Sequence, residues 1–142
     1  MSIPTSHSPV RRVVTAGLAA ALLALGGCAA LQPKAPEQVV EQRVEERWAA
    51  LIAGNYDKAW TYTQPSFRDL VKQANYRGRF GGAGEWRGVQ VHSVTCAAER
   101  CEVRLRLTTR VMVPPFAGHE LVGAIDEVWI REDGQWWYFE AL

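Results

Sequence analysis

The sequence predicts an α+β domain in which N-terminal helices pack on a curved four-stranded antiparallel sheet. Three observations predict it. Apolar residues recur at helical spacing between residues 37 and 53. After a glycine-rich stretch from Gly78 to Gly84, the period changes from helical to alternating. Near the C-terminus, Asp133-Gly134 separates two alternating runs, the strongest short hairpin signal there is. Helices first and strands afterwards, in a chain of single-domain length, favour segregated α and β layers.

The first 36 residues are read apart from this domain. Arg11 and Arg12 precede an apolar stretch from Val13 to Leu25, and small residues follow, which is the order of a processed export leader. The stretch falls short of the roughly 20 apolar residues a spanning helix needs. Leu25-Gly26-Gly27-Cys28 resembles the lipobox of bacterial lipoproteins. That resemblance implies removal of residues 1–27, acylation (palmitate) of the Cys28 thiol, and anchoring in the cell envelope. Ala29, where an Asp commonly favours inner-membrane retention, implies the outer membrane, with the domain facing the periplasm. Residues 28–36 form a short tether, since Pro33 and Pro36 among small residues resist packing. The folded domain is expected over 37–142.

Within it, a helix is expected from Glu37 to Ala53, with Val40, Val44, Trp48, Leu51 and Ile52 on its buried face and Gly54 as its C-terminal cap. A short second helix is capped by Asn55, and a third starts at Pro65 and runs to about Ala74. Strands are expected at 85–96, 101–113, 119–131 and 135–141, with Pro114-Pro115 interrupting the middle turn. The second strand alternates Val103, Leu105 and Leu107 with Arg104, Arg106 and Arg110 in the same window, so one face is core and the other carries a row of arginines.

Three cysteines leave two once Cys28 is acylated. Cys96 and Cys101 then face each other across a hairpin neck, within disulfide reach, in an oxidising compartment. A redox pair would read Cys-x-x-Cys at a helix start. A zinc site would need His92 and His119 to complete it, at a spacing that matches no known finger. Without the leader arginines the chain carries 14 basic against 15 acidic residues. This gives no electrostatic footprint for nucleic acid.

Arg47-Trp48-Ala49-Ala50-Leu51, Gly54-Asn55-Tyr56-Asp57-Lys58-Ala59-Trp60, Pro65-Ser66-Phe67-Arg68 and the run Val128 to Trp137 resemble the NTF2-like (cystatin-like, SnoaL-like) superfamily, over residues 37–142. The resemblance implies a cone of helices and bent sheet. It does not imply a function, because the superfamily includes enzymes, transport factors and lipoproteins of no known role. Its isomerases use an acidic base in an apolar pocket, for which Asp126 and Glu127 are the candidates here. Tyr56, Tyr62, Tyr138, His92 and His119 are their candidate partners. Only one of the two acids can face inward: Asp126 if Val122, Ala124, Val128 and Ile130 do, Glu127 if Leu121, Ile125 and Trp129 do. Periodicity leaves both open, and the plainer expectation is that the inward acid is paired with an arginine.

Trp48, Tyr56, Trp60, His92 and Trp129 are the candidate pocket lining for a small apolar ligand, although filling the core is the commoner use of such residues. Arg104, Arg106 and Arg110 are the candidate partner surface, unless they pair across strands with Asp126, Glu127 or Glu85. Adjacent Trp136 and Trp137 must face opposite ways, so one of them is expected on the outer surface. No nucleophile elbow, phosphate loop or metal-binding histidine pair occurs, and no cofactor is expected. The expectation is a lipid-anchored envelope protein acting as a non-catalytic binding or accessory module, through an envelope protein partner or a small ligand. The rivals are a small-molecule enzyme working in the cone and a structural subunit of an envelope assembly.

Overall fold

The computed structural model describes residues 33–82 and 84–142. The leader, Cys28 and the first part of the tether lie outside the described residues. Helix α1 spans Pro36–Ile52. Pro36 supplies a preset φ where no helical donor is needed, and the Gln38 side chain accepts from the Ala35 N–H at 3.3 Å. The helix ends because Gly54 adopts φ +71°. Its N–H then reaches the Leu51 carbonyl at 3.0 Å, and that of Asn55 reaches Ala50 at 2.8 Å, a Schellman closure. Val40, Val44, Trp48 and Leu51 are buried as expected. Arg47 is buried among them, while Ile52 is half-buried.

Helices α2 (Tyr56–Trp60), α3 (Pro65–Leu70) and α4 (Gln73–Tyr76) follow. The single helix expected from Pro65 to Ala74 is broken at Val71, which is extended at φ −108°, ψ 104°. Its carbonyl is turned to accept from Trp60 Nε1 at 3.0 Å, so a tertiary bond replaces a helical one.

Strands β1 (Gly84–Ala97), β2 (Arg100–Val111), β3 (Glu120–Glu132) and β4 (Gln135–Tyr138) form one antiparallel sheet in chain order. Register shifts in β1 between Trp86 and Gly88 and between Val91 and Ser93 make Arg87 and His92 extra residues. These bulges bend the strand and re-phase it. Trp86, Val89, Val91, Val94 and Cys96 therefore all oppose the inner-face residues Thr109, Leu107, Leu105, Val103 and Cys101 of β2. Cys96 and Cys101 are bonded, with Cα atoms 4.0 Å apart. The β3–β4 turn places Asp133 at φ 52° and Gly134 at φ 75°. Both are positive, as a type I′ hairpin demands. The C-terminal tail is held by Gln64, whose Nε2 donates to the Glu140 carbonyl at 3.0 Å and whose Oε1 accepts from the Glu140 N–H at 2.8 Å.

Candidate functional site

The site begins with a parity that the strands settle. Glu127 opposes Val103, and Trp129 opposes Cys101, so odd-numbered residues of β3 face the helices. Glu127 is 4% exposed. Asp126 points outward and grips Arg104 in a fork, Nε to Oδ1 at 2.8 Å and Nη2 to Oδ2 at 3.0 Å. That bond holds the Asp126 carboxyl below its ordinary range and the guanidinium above its own.

α1 presents Arg47 and Trp48 to the inward carboxylate from one turn. Arg47 Nη1 donates to Glu127 Oε1 at 2.9 Å, and Trp48 Nε1 donates to the same oxygen at 2.8 Å. Trp129 Nε1 donates to Oε2 at 3.0 Å. Arg47 Nη2 also donates to the Tyr76 hydroxyl at 3.3 Å and lies 3.7 Å from Glu140 Oε2. The guanidinium carbon sits 3.6 Å from the centre of the Tyr138 ring. Burial works against the Arg47 charge, but Glu127, Tyr76 and Tyr138 outweigh it and hold its pKa above the ordinary value. Burial pushes the Tyr138 hydroxyl up to about 12, against the pull of Arg47. The centre of the cone is therefore a neutralised ion pair wrapped in aromatics.

The arrangement leaves Glu127 little freedom for proton chemistry. Both of its oxygens are engaged by N–H donors fixed on α1 and β3, and a general base needs a lone pair within reach of a substrate proton. The inward acid is paired with an arginine, the plainer of the two sequence expectations. Arg47 was not among the candidate residues, although the sequence carried its signal: it falls at helical spacing on the stripe of Val40, Val44, Trp48 and Leu51.

The residues expected to line a pocket are not gathered into one. Trp48 and Trp129 are buried donors to Glu127. Trp60 lies against α3 under Arg68, 5.7 Å from ring to guanidinium. His92 is an exposed bulge residue of β1. Tyr56 stacks on Phe80 at 5.3 Å and borders a cleft of about 370 Å³ with Leu51, Ile52, Trp86 and Thr109, at the C-terminal end of α1. Of the other candidate partners, Tyr62 donates to Glu46 at 2.9 Å and His119 is exposed in the β2–β3 turn. Among the arginines, Arg104 is taken by Asp126, while Arg106 and Arg110 are exposed, with no carboxylate within 4 Å among the described residues. Glu85 pairs instead with Arg87 of its own strand, at 3.3 Å. Trp136 is buried. Trp137 is not an open outer face, because Arg43 and Arg68 cover it at 5.1 and 4.5 Å.

A long helix on the inner face of a sheet bent by two bulges, with short helices following it, is the cone expected above. The fold is NTF2-like. No family model matches the chain, and no curated protein is similar to it in sequence. Many solved structures share the fold, and three of them illustrate it. A SEC-C motif protein from Rhodopseudomonas palustris superposes with a TM-score of 0.54 at 19% identity, over 69% of this chain and 73% of its own. A SEC-C motif protein from Psychrobacter arcticus gives 0.55 at 12%, over 77% of this chain and 63% of its own, less than two thirds of that protein. A domain assigned as a calcium/calmodulin-dependent protein kinase type II association domain, from Thiobacillus denitrificans, gives 0.53 at 17%, over 75% and 93%. At these identities the likeness is one of NTF2-like fold alone.

Proposed function

We propose that this chain is a lipoprotein of the bacterial cell envelope, anchored through acylated Cys28 in the outer membrane, whose NTF2-like domain is a non-catalytic binding or accessory module facing the periplasm. The observation that carries the non-catalytic half is the engagement of Glu127 by Arg47, Trp48 and Trp129. In this reading the inward acid is a structural counter-charge, and binding falls to the surface. The leader motif carries the address.

Two variants test the halves separately. Cys28→Ser, expressed in the native host, should lose both the acyl chains and the removal of residues 1–27, so that mass spectrometry finds an unacylated chain with its leader attached. A wild-type chain from the membrane fraction with an intact leader and an unmodified Cys28 would refute the anchor. The double variant Arg47→Met/Glu127→Gln removes the ion pair but keeps the shape of both side chains. If the acid is structural, a gene carrying it restores the fitness of a deletion strain as fully as the wild type. A folded double variant that fails to complement would make Glu127 part of a reaction instead.

A further inference from the structure

β3 has a free edge, and its chemistry names an occupant. β2 lies along one side of β3 from Glu120 to Ile130, whereas β4 covers the other side only from Trp129 to Glu132. The last bond on that second side runs from Phe139 N–H to the Val128 carbonyl at 2.8 Å. Backbone groups of an antiparallel strand alternate between its two neighbours. Asp126, Ala124, Val122 and Glu120 therefore aim their N–H and C=O groups to the side that Val128 uses, where no strand lies among the described residues. Natural edges are blunted by lysine, proline, bulges or short length. The run Leu121–Ile125 has no charge or proline, and its register with β2 is unbroken. Leu121 and Val122, on opposite faces, are 61% and 59% exposed, and Phe116 in the adjoining turn is 63% exposed.

We infer that a second copy of this chain occupies this edge, antiparallel, about a two-fold axis through Val122. An axis perpendicular to the sheet keeps inner faces on one side, so it passes through a residue and not between two. Through Gly123 it would oppose Glu120 to the partner subunit's Asp126, like charge to like. Through Ala124 or Ile125 it would drive the partner strand onto Val128, whose carbonyl Phe139 already holds. Through Val122 the surfaces fit. Leu121 lies over the partner subunit's Gly123, large on small. Glu120 lies opposite the partner subunit's Ala124, and the next strand beyond that alanine carries the partner subunit's Arg106. Neither Arg106 nor Glu120 has an oppositely charged group within 4 Å among the described residues, and Arg110, the residue opposite Glu120 on β2, does not close on it. The methyl group of Ala124 leaves the path between them open, and the symmetry makes the pair twice. The proposal is independent of whether the cone binds anything.

Cysteine substitutions in the purified full chain read the register. Opposed residues of a hydrogen-bonded antiparallel pair lie about 5.5 Å apart at Cα, within disulfide range. Val122→Cys should therefore give a covalent dimer on mild oxidation, above the level of the unsubstituted chain. Ala124→Cys should not, because four residues of rise put it about 14 Å from its symmetry mate. Light scattering should give twice the chain mass. Arg106→Glu should weaken the dimer roughly tenfold, as two exposed ion pairs worth a few-fold each predict, and adding Glu120→Arg should restore it. A monomer at about 100 μM, cross-linking through Ala124→Cys in preference to Val122→Cys, or no rescue by the charge swap would each overturn the proposal. Dimers of Val122→Pro as stable as those of the wild type would too, since that residue's N–H faces the edge.

Discussion

Replacing Arg47 with Met tests whether the centre of the cone is an ion pair held for structure. Methionine nearly fills the same volume, so the change is of charge and hydrogen bonding, not of cavity. It removes the Nη1 bond to Glu127 at 2.9 Å and the Nη2 bond to Tyr76 at 3.3 Å. The contact to Glu140 at 3.7 Å is long and contributes little. What remains is a buried carboxylate with two indole donors and no counter-charge. Leaving that charge unpaired costs about 3–5 kcal/mol, the usual penalty for breaking a buried pair from one side. Adding about 1 kcal/mol for the tyrosine bond, the expected destabilisation is about 4–6 kcal/mol.

A double variant separates this cause from mere loss of packing. Urea unfolding followed by tryptophan fluorescence, which Trp48 and Trp129 report from within the site, should give the full penalty for Arg47→Met and about 1–2 kcal/mol for Arg47→Met/Glu127→Gln, which leaves no charge buried and unpaired. A single-variant cost below about 1 kcal/mol, or a double variant no more stable than the single one, would refute the reasoning.

Other perturbations follow from the same geometry. Tyr138, with its hydroxyl raised to about 12 by burial, should stay neutral in the fold above pH 10 while the unfolded chain ionises. Its stabilisation is therefore complete below pH 10 and is lost as pH rises toward 12, worth about 2.7 kcal/mol in total. Melting curves at high pH should show that loss, and Tyr138→Phe, which keeps the ring under Arg47, should remove it. Reducing the Cys96–Cys101 bond should cost about 2 kcal/mol by denaturant titration, since the closed loop is short, with far-ultraviolet dichroism unchanged. Asp126→Asn should leave the melting temperature where it is, because the Arg104 fork is solvent-exposed. A drop of more than about 3 °C would mean that this pair is tied to something else.

The elements with one unambiguous period were legible in the sequence. α1, with its proline start and glycine stop, and the Asp133-Gly134 turn fall within a residue or two of their expected places. Three features were not legible, each for a stated physical reason. The break at Val71 depends on an indole eleven residues upstream, which local propensity does not see. The bulges at Arg87 and His92 shift the phase of β1 twice, so its inward residues follow no single alternation. The parity of β3 was undetermined because both of its faces carry apolar residues, Leu121 and Ile125 on one and Val122, Val128 and Ile130 on the other.

That last ambiguity and the free edge have one cause. A strand covered by helices along its whole length would show a single apolar face. β3 is covered only where Glu127 and Trp129 meet α1, and from Glu120 to Ala124 every residue is exposed. The apolar side chains there do not serve the core of this chain, so their alternation carried no information about it. Glu127 has the opposite history. A charged residue on the stripe of α1 and an acid on the inner face of β3 are each costly alone and tolerable together. Arg47 at helical spacing with Val44 and Trp48 thus predicts an inward carboxylate on the facing sheet. Either parity of β3 supplies one, Asp126 or Glu127, so Arg47 foretells the ion pair but not which acid makes it.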